Sequence, residues 1–288
     1  MALRSAAAWI AGACGLALVG LAVQRCVPDG AVAVELPDGA KLDASLRVAM
    51  WPGKRETSCP MPSPSVATVL IMGQSNAGNH ARGLQESSAD DSVLNWFEGK
   101  CYLAASPLLG ASGHLQQPWV PMARLMLKAG RWRQIVLAPI AVAGPPIVRW
   151  TPLGDLHPIL LRDAARLQSQ LGVRAVLWVQ GEADYGQSTS ADAYASMLRD
   201  VVATLRQAGI GAPVYVYTAT RCIDAARWSR DNPLARVQRA VDLPGAHVGV
   251  DLDGLLVAED RYDGCHLSES GIRKVAHASS VLLESAAP

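Results

Sequence analysis

Short apolar runs alternate with helical periodicities along most of the chain. Val66–Met72 is rich in β-formers and stops at Gly73. Ile135–Val142, Ala175–Val179, Val214–Ala219 and His247–Asp251 repeat that character. Between them, apolar residues recur at helical spacing in Met122–Ala129, in the stretch marked by Leu160, Ala164, Leu167 and Leu171, in Asp192–Ala208 and in Pro233–Val241. A last amphipathic helix is predicted from about Ser268 to Glu284. Strands buried on both faces lose the in–out alternation and read as continuous apolar runs. Five such strands separated by helices predict an α/β fold, a doubly wound, about five-stranded parallel sheet with helices on both faces. Right-handed crossovers then set the strand C-terminal ends along one edge, where ligands bind.

Both the start of the chain and the stretch after it depart from this pattern. Ala6–Val23 is an unbroken apolar run between Arg4 and Arg25. Its length is at the lower limit for a bilayer span, and its layout is equally that of a secretory signal, with Ala31-Val32-Ala33 as a cleavage site. Residues 1–33 are therefore read as a signal peptide or a membrane anchor. A buried helix is disfavoured because the run has no polar face. Either reading places the remainder outside the cytoplasm: periplasmic, extracellular or membrane-anchored. Residues 34–65, rich in Pro, Gly and Ser, read as a linker or N-terminal extension with one short strand at Leu46–Met50. Residues 66–288 are left as the folded domain.

Composition narrows the functional classes. At 288 residues, 50% hydrophobic and 18% charged, the chain is globular, and a net charge of +1 argues against a dedicated nucleic-acid binder. Cys59, Cys101, Cys222 and Cys265 lie in the body. In an oxidising compartment they suggest two disulfides, and Cys59–Cys101 with Cys222–Cys265 is the favoured pairing of three. Four free thiols are the alternative. No C-x-x-C spacing points to zinc.

Chemistry-bearing residues gather at the predicted strand ends. The first strand runs into Gly73-Gln74-Ser75-Asn76-Ala77-Gly78, where a serine on a strand-to-helix turn presents its hydroxyl at the sheet edge. An N-cap serine is the plainer reading of that segment alone. After the last strand comes Asp263-Gly264-Cys265-His266, whose carboxylate can meet the imidazole Nδ1–H and orient the ring as a base. Glu259 and Asp260 are weaker candidates for the acid. Gly144 follows the second strand, and a glycine there lets backbone approach a substrate. Gln180, in Trp178-Val179-Gln180-Gly181-Glu182-Ala183-Asp184, would supply a neutral amide donor to an oxyanion.

Together these segments resemble the SGNH (GDSL-like) hydrolases, in the branch of sialate O-acetylesterases and plant acetylxylan esterases. That branch has G-Q-S-N at the nucleophile, as Gly73–Asn76 has, W-x-Q-G-E-x-D as in Trp178–Asp184, and D-x-x-H as in Asp263–His266. Its G-G-T-x-I-x-x-W segment is similar to Ala143–Trp150, where Ala143 and Pro145 replace a Gly and a Thr. The resemblance covers about residues 66–284 and implies the flavodoxin-like SGNH fold. It implies Ser75 as nucleophile, His266 as base, Asp263 as its partner, and an oxyanion hole from the Ser75 and Gly144 N–H groups and the Gln180 side chain. Glu182 and Asp184 are matched positions that could serve the loop alone.

The expected activity is removal of O-acetyl groups from a carbohydrate, with no cofactor and no metal and with an acetylated saccharide as partner. Esterases of other short acyl esters, and a non-catalytic carbohydrate-binding or polysaccharide-assembly protein on the same fold, are the alternatives. Trp150 and Trp228 fall in or near edge loops and could stack on sugar rings, with packing of Trp150 under its loop as the equal alternative. The long segment Gly78–Pro118 is placed to shape the substrate cleft.

Overall fold

The computed structural model describes residues 36–83, 91–222 and 228–285; the apolar N-terminal run and the Ala31–Ala33 site lie outside them. Among the described residues ten strands follow one another: β1 (Lys41–Leu42), β2 (Val48–Met50), β3 (Glu56–Thr57), β4 (Val66–Gly73), β5 (Val93–Phe97), β6 (Lys100–Leu103), β7 (Gln134–Ala141), β8 (Ala175–Val179), β9 (Val214–Thr218) and β10 (Ala246–Asp251). The helices are α1 (Trp119–Lys128), α2 (His157–Leu171), α3 (Glu182–Gly186), α4 (Ala191–Gln207), α5 (Pro233–Arg239), α6 (Leu252–Leu255) and α7 (Glu269–Ser285).

Eight strands form one sheet in the order β10-β9-β8-β4-β7-β5-β6-β3. The five expected strands are all present and parallel, and β5 adds a sixth parallel member beside β7. Antiparallel β6 and β3 extend that edge, so the sheet is larger than the sequence pattern suggests. Side chains of β4 alternate between two cores. Val69 and Ile71 meet Trp119 and Met122 of α1 and Val275 of α7. Leu70 and Met72 meet Leu160 and Leu167 of α2 and Leu198 and Leu205 of α4. The central strand is thus dry on both sides, which is why its sequence shows no alternation.

The expected linker over 34–65 needs correction, because from Pro37 onward the chain belongs to the same compact body as the sheet. β1 and β2 pair antiparallel, and β3 closes the sheet edge. Arg47, beside β2, is 1% exposed; it donates from Nε to Asp43 at 2.8 Å and from Nη1 to Asp163 of α2 at 3.0 Å. A Pro- and Gly-rich composition hides such anchoring because a single buried ion pair leaves no periodic signal. The four body cysteines form the two favoured disulfides, Cys59–Cys101 and Cys222–Cys265. Among the described residues, no helix is long and apolar enough to cross a membrane.

Candidate active site

At the end of β4, Gly73 has φ +133°, and a Cβ there would lie 1.9 Å from the Val179 carbonyl oxygen. Only glycine lets the β4 and β8 backbones meet this closely. The chain then enters a single 3-10 turn, Ser75–Ala77, in which Ser75 is 6% exposed. The Gln74 side-chain oxygen accepts from the Gly181 and Ala183 N–H groups, tying this turn to the start of α3. Ser75, His80, Gly144, Glu182 and His266 line one open cleft of about 520 Å³.

The Asp263–His266 loop folds onto its own carboxylate. Asp263 Oδ2 is 2.7 Å from His266 Nδ1, and Oδ1 accepts the backbone N–H of His266 at 2.7 Å and of Cys265 at 3.0 Å. Partial burial would raise the Asp263 carboxyl, but the His266 ring and these N–H groups outweigh it and hold the group below its usual range. With Nδ1–H on the carboxylate, Nε2 is the basic nitrogen. Among the described residues no hydrogen bond joins Ser75 to His266, as is common for such pairs before a substrate tightens them. Gly144, exposed at φ +81°, has room around it, and its N–H is without a partner among the described residues.

A buried polar network under the cleft joins four strand ends. Asn76 Nδ2 donates to Glu182 Oε1 at 2.8 Å and to the Cys265 carbonyl at 3.4 Å. Arg261 donates to that same carbonyl and stands 3.9 Å from Asp253, which in turn accepts from Thr220 after β9. Burial pushes the Glu182 carboxyl up to about 7 against the opposing Asn76 hydrogen bond, and its Oε2 has no partner.

Gln180, Trp150, Trp228 and Asp260, all raised by the sequence, do not line the cleft. Gln180 is fully buried; its Nε2 donates to Asp184 and to the Pro145 carbonyl, so it has no donor left for an oxyanion. Asp184 also accepts from the Ile147 N–H at 2.7 Å, so Gln180 and Asp184 pin the loop that carries Gly144. Trp150 is likewise fully buried, edge-on to Trp178 at 5.9 Å, and presents no face to a sugar. Trp228 is half-buried, bonded through Nε1 to Thr220 and covered by the Arg221 guanidinium at 5.1 Å. Asp260 serves α7 instead, accepting from Lys274 at 2.6 Å and Ser270 at 2.7 Å. Sequence reasoning missed His80 and Tyr262, whose rings stack on His266, because an isolated ring in a loop carries no pattern.

Comparisons with known proteins give the family and the fold. A family model described as carbohydrate esterase, sialic acid-specific acetylesterase matches residues 65–280. Among solved structures, a protein from Arabidopsis thaliana is 18% identical with a TM-score of 0.63, covering 78% of this chain and 99% of its own. NanS is 15% identical with a TM-score of 0.54, over 78% of this chain and 98% of its own. Among curated proteins, none matches the sequence.

Proposed function

The chain belongs to the carbohydrate esterase, sialic acid-specific acetylesterase family, and on that footing we propose that Ser75, His266 and Asp263 carry out its de-acetylation of saccharides. His266 Nε2 takes the Ser75 hydroxyl proton as Oγ attacks the acetyl carbon. The carbonyl oxygen becomes an oxyanion held by the N–H groups of Ser75, at the start of its turn, and Gly144. Collapse breaks the ester bond; the sugar oxygen leaves with the proton from His266, and Ser75 keeps the acetyl group. Water, deprotonated by His266, attacks the acetyl-serine through the same oxyanion; the Ser75 Oγ–acyl bond breaks, Oγ takes the proton back from His266, and acetate departs. Asp263 stabilises the imidazolium formed in each half.

One observation carries this reading: the Asp263–His266 pair at 2.7 Å opens onto the cleft that also holds Ser75 and Gly144. Gln180 takes no part in this scheme, since its amide is spent on the loop beneath. The two disulfides fit an exported protein. With residues 1–33 acting as signal or anchor, the domain works in the periplasm, outside the cell or tethered to a membrane. The partner is an acetylated saccharide, and the near-zero net charge supports no nucleic-acid partner.

The test is hydrolysis of p-nitrophenyl acetate against longer acyl esters, followed by acetate release from acetylated saccharides. Turnover should be confined to short acyl chains. Ser75→Ala should lower kcat on the order of 10³-fold or more with an unchanged circular dichroism spectrum. Retained turnover in that variant would sink the mechanism, and a folded wild-type protein inert on every ester would favour a binding role.

A further inference from the structure

We propose that His80 is a positioning residue for the base, a fixed wall against which the His266 imidazole stacks. This rests on the reading of Ser75 and His266 given above. The two rings lie 5.3 Å apart at 23°. A hydrogen bond from Nδ1 to Asp263 fixes one atom of the imidazole but leaves the ring free to swing about that axis. A flat surface against its face removes the swing, and with it the error in where Nε2 points.

His80 itself is held from several directions. On one side, Asn79 is fully buried, donates from Nδ2 to the Leu108 carbonyl at 2.9 Å and accepts the Leu108 N–H at 2.7 Å. On the other, Ala81 and Gln116 exchange both backbone hydrogen bonds at 3.0 Å. The His80 Nε2 meets Ser112 Oγ at 3.1 Å, and its carbonyl accepts the Tyr262 hydroxyl at 3.2 Å. The seat of the ring is cut to size, since a Cβ on Gly113 would lie 2.8 Å from His80 Cδ2. Tyr262, the second ring on His266, is backed by the Arg82 guanidinium at 4.4 Å. Residues 80–82 therefore supply one wall of the base and brace the other.

The wall also stays uncharged. Burial, then the neighbouring His266 and His114, push the His80 imidazole down to about 4 despite the nearby Asp263. At neutral pH it offers a π face, not a second cation, to the imidazolium that forms in each half-reaction.

Two variants separate the ring from its hydrogen bond. His80→Asn can keep a bond to Ser112 but has no ring to stack; His80→Phe keeps the ring and loses the bond. With a short acetyl ester as substrate, His80→Asn should lower kcat roughly 10- to 100-fold with KM within about twofold, as expected for a misaimed base. His80→Phe should stay within about threefold of wild type, with thermal unfolding confirming that both variants fold. Wild-type kcat in His80→Asn, a loss confined to KM, or His80→Phe as slow as His80→Asn would each overturn the proposal. A Ser75→Ala control that retains turnover would instead overturn the nucleophile assignment on which it stands.

Discussion

The two disulfides close loops of nearly equal length, spanning 42 and 43 residues, yet they sit in opposite settings. Cys59–Cys101 ties the segment after β3 to β6, at the antiparallel edge of the sheet. Cys222–Cys265 joins the chain after β9 to the residue next to His266, and Cys222 lines the cleft. Loop-closure entropy assigns each bridge about 4 kcal/mol, so the chain-statistical benefit is the same for both. Any difference in what they do must come from what they hold. One holds an edge, and the other holds the loop that carries His266.

The prediction that bears most heavily on that comparison breaks it directly. Replacing Cys222 and Cys265 together by Ala should lower kcat/KM about 100-fold at a temperature where the variant is folded, because the His266 loop loses a covalent anchor. The Cys59/Cys101 double variant should keep kcat/KM within about threefold. Both should lower Tm by a similar amount, about 10 °C, given the equal loop lengths. Similar activity losses in the two variants would show that the bridges differ in place but not in role.

A smaller effect tests the polar network on the site side. Glu182 is raised to about 7 by burial, against an ordinary carboxyl value of 4.5. Below 4.5 both folded and unfolded chains hold this proton. Between 4.5 and about 7 only the folded chain holds it, so this group makes stability fall as pH rises, by about 3 kcal/mol in all. Above that window the loss is complete and constant. Glu182→Gln should flatten this fall when urea unfolding is measured at pH 5 and pH 8. An unchanged fall would place its origin elsewhere. Smallest of all is Glu56→Ala at the opposite edge, which removes an exposed 2.9 Å pair with Lys100. Urea unfolding should register no resolvable change in stability, and the esterase assay no change.

The parts legible in the sequence are those with a repeating cause. β4, β7, β8 and β9 announce themselves because parallel strands covered on both faces must be apolar throughout, whereas β10, partly exposed at the sheet edge, is legible only as a short β-rich run after a helical stretch. β5 does not, since its buried Asn95 breaks the run while its amide binds the Leu109 carbonyl and accepts the Leu109 N–H. Ser75 and Gly144 are legible as polar or flexible residues just beyond strand ends, and Asp263 and His266 as a D-x-x-H pair in the segment between the last strand and the last helix. Gln180 fits the same rule and fails it, because a side-chain amide is a donor only if nothing nearer takes its hydrogens. For Trp150 a loop position leaves sugar stacking and packing under the loop equally open, and the structure gives the second, with the ring against Trp178. Both depend on partners brought in from other segments, which no local pattern encodes.

The network that holds the cleft together joins Asn76 to the carbonyl of Cys265 across 189 residues of chain. β4 likewise finds its neighbours in β7 and β8, both far downstream. Contacts of such long sequence separation form slowly, because a large loop must close before they reward the closure. A nascent chain halted before residue 263 carries the Ser75 turn but neither Asp263 nor His266. Catalytic competence is thus a property that arrives last, and regain of hydrolysis during refolding times the completion of the whole body rather than of any one segment.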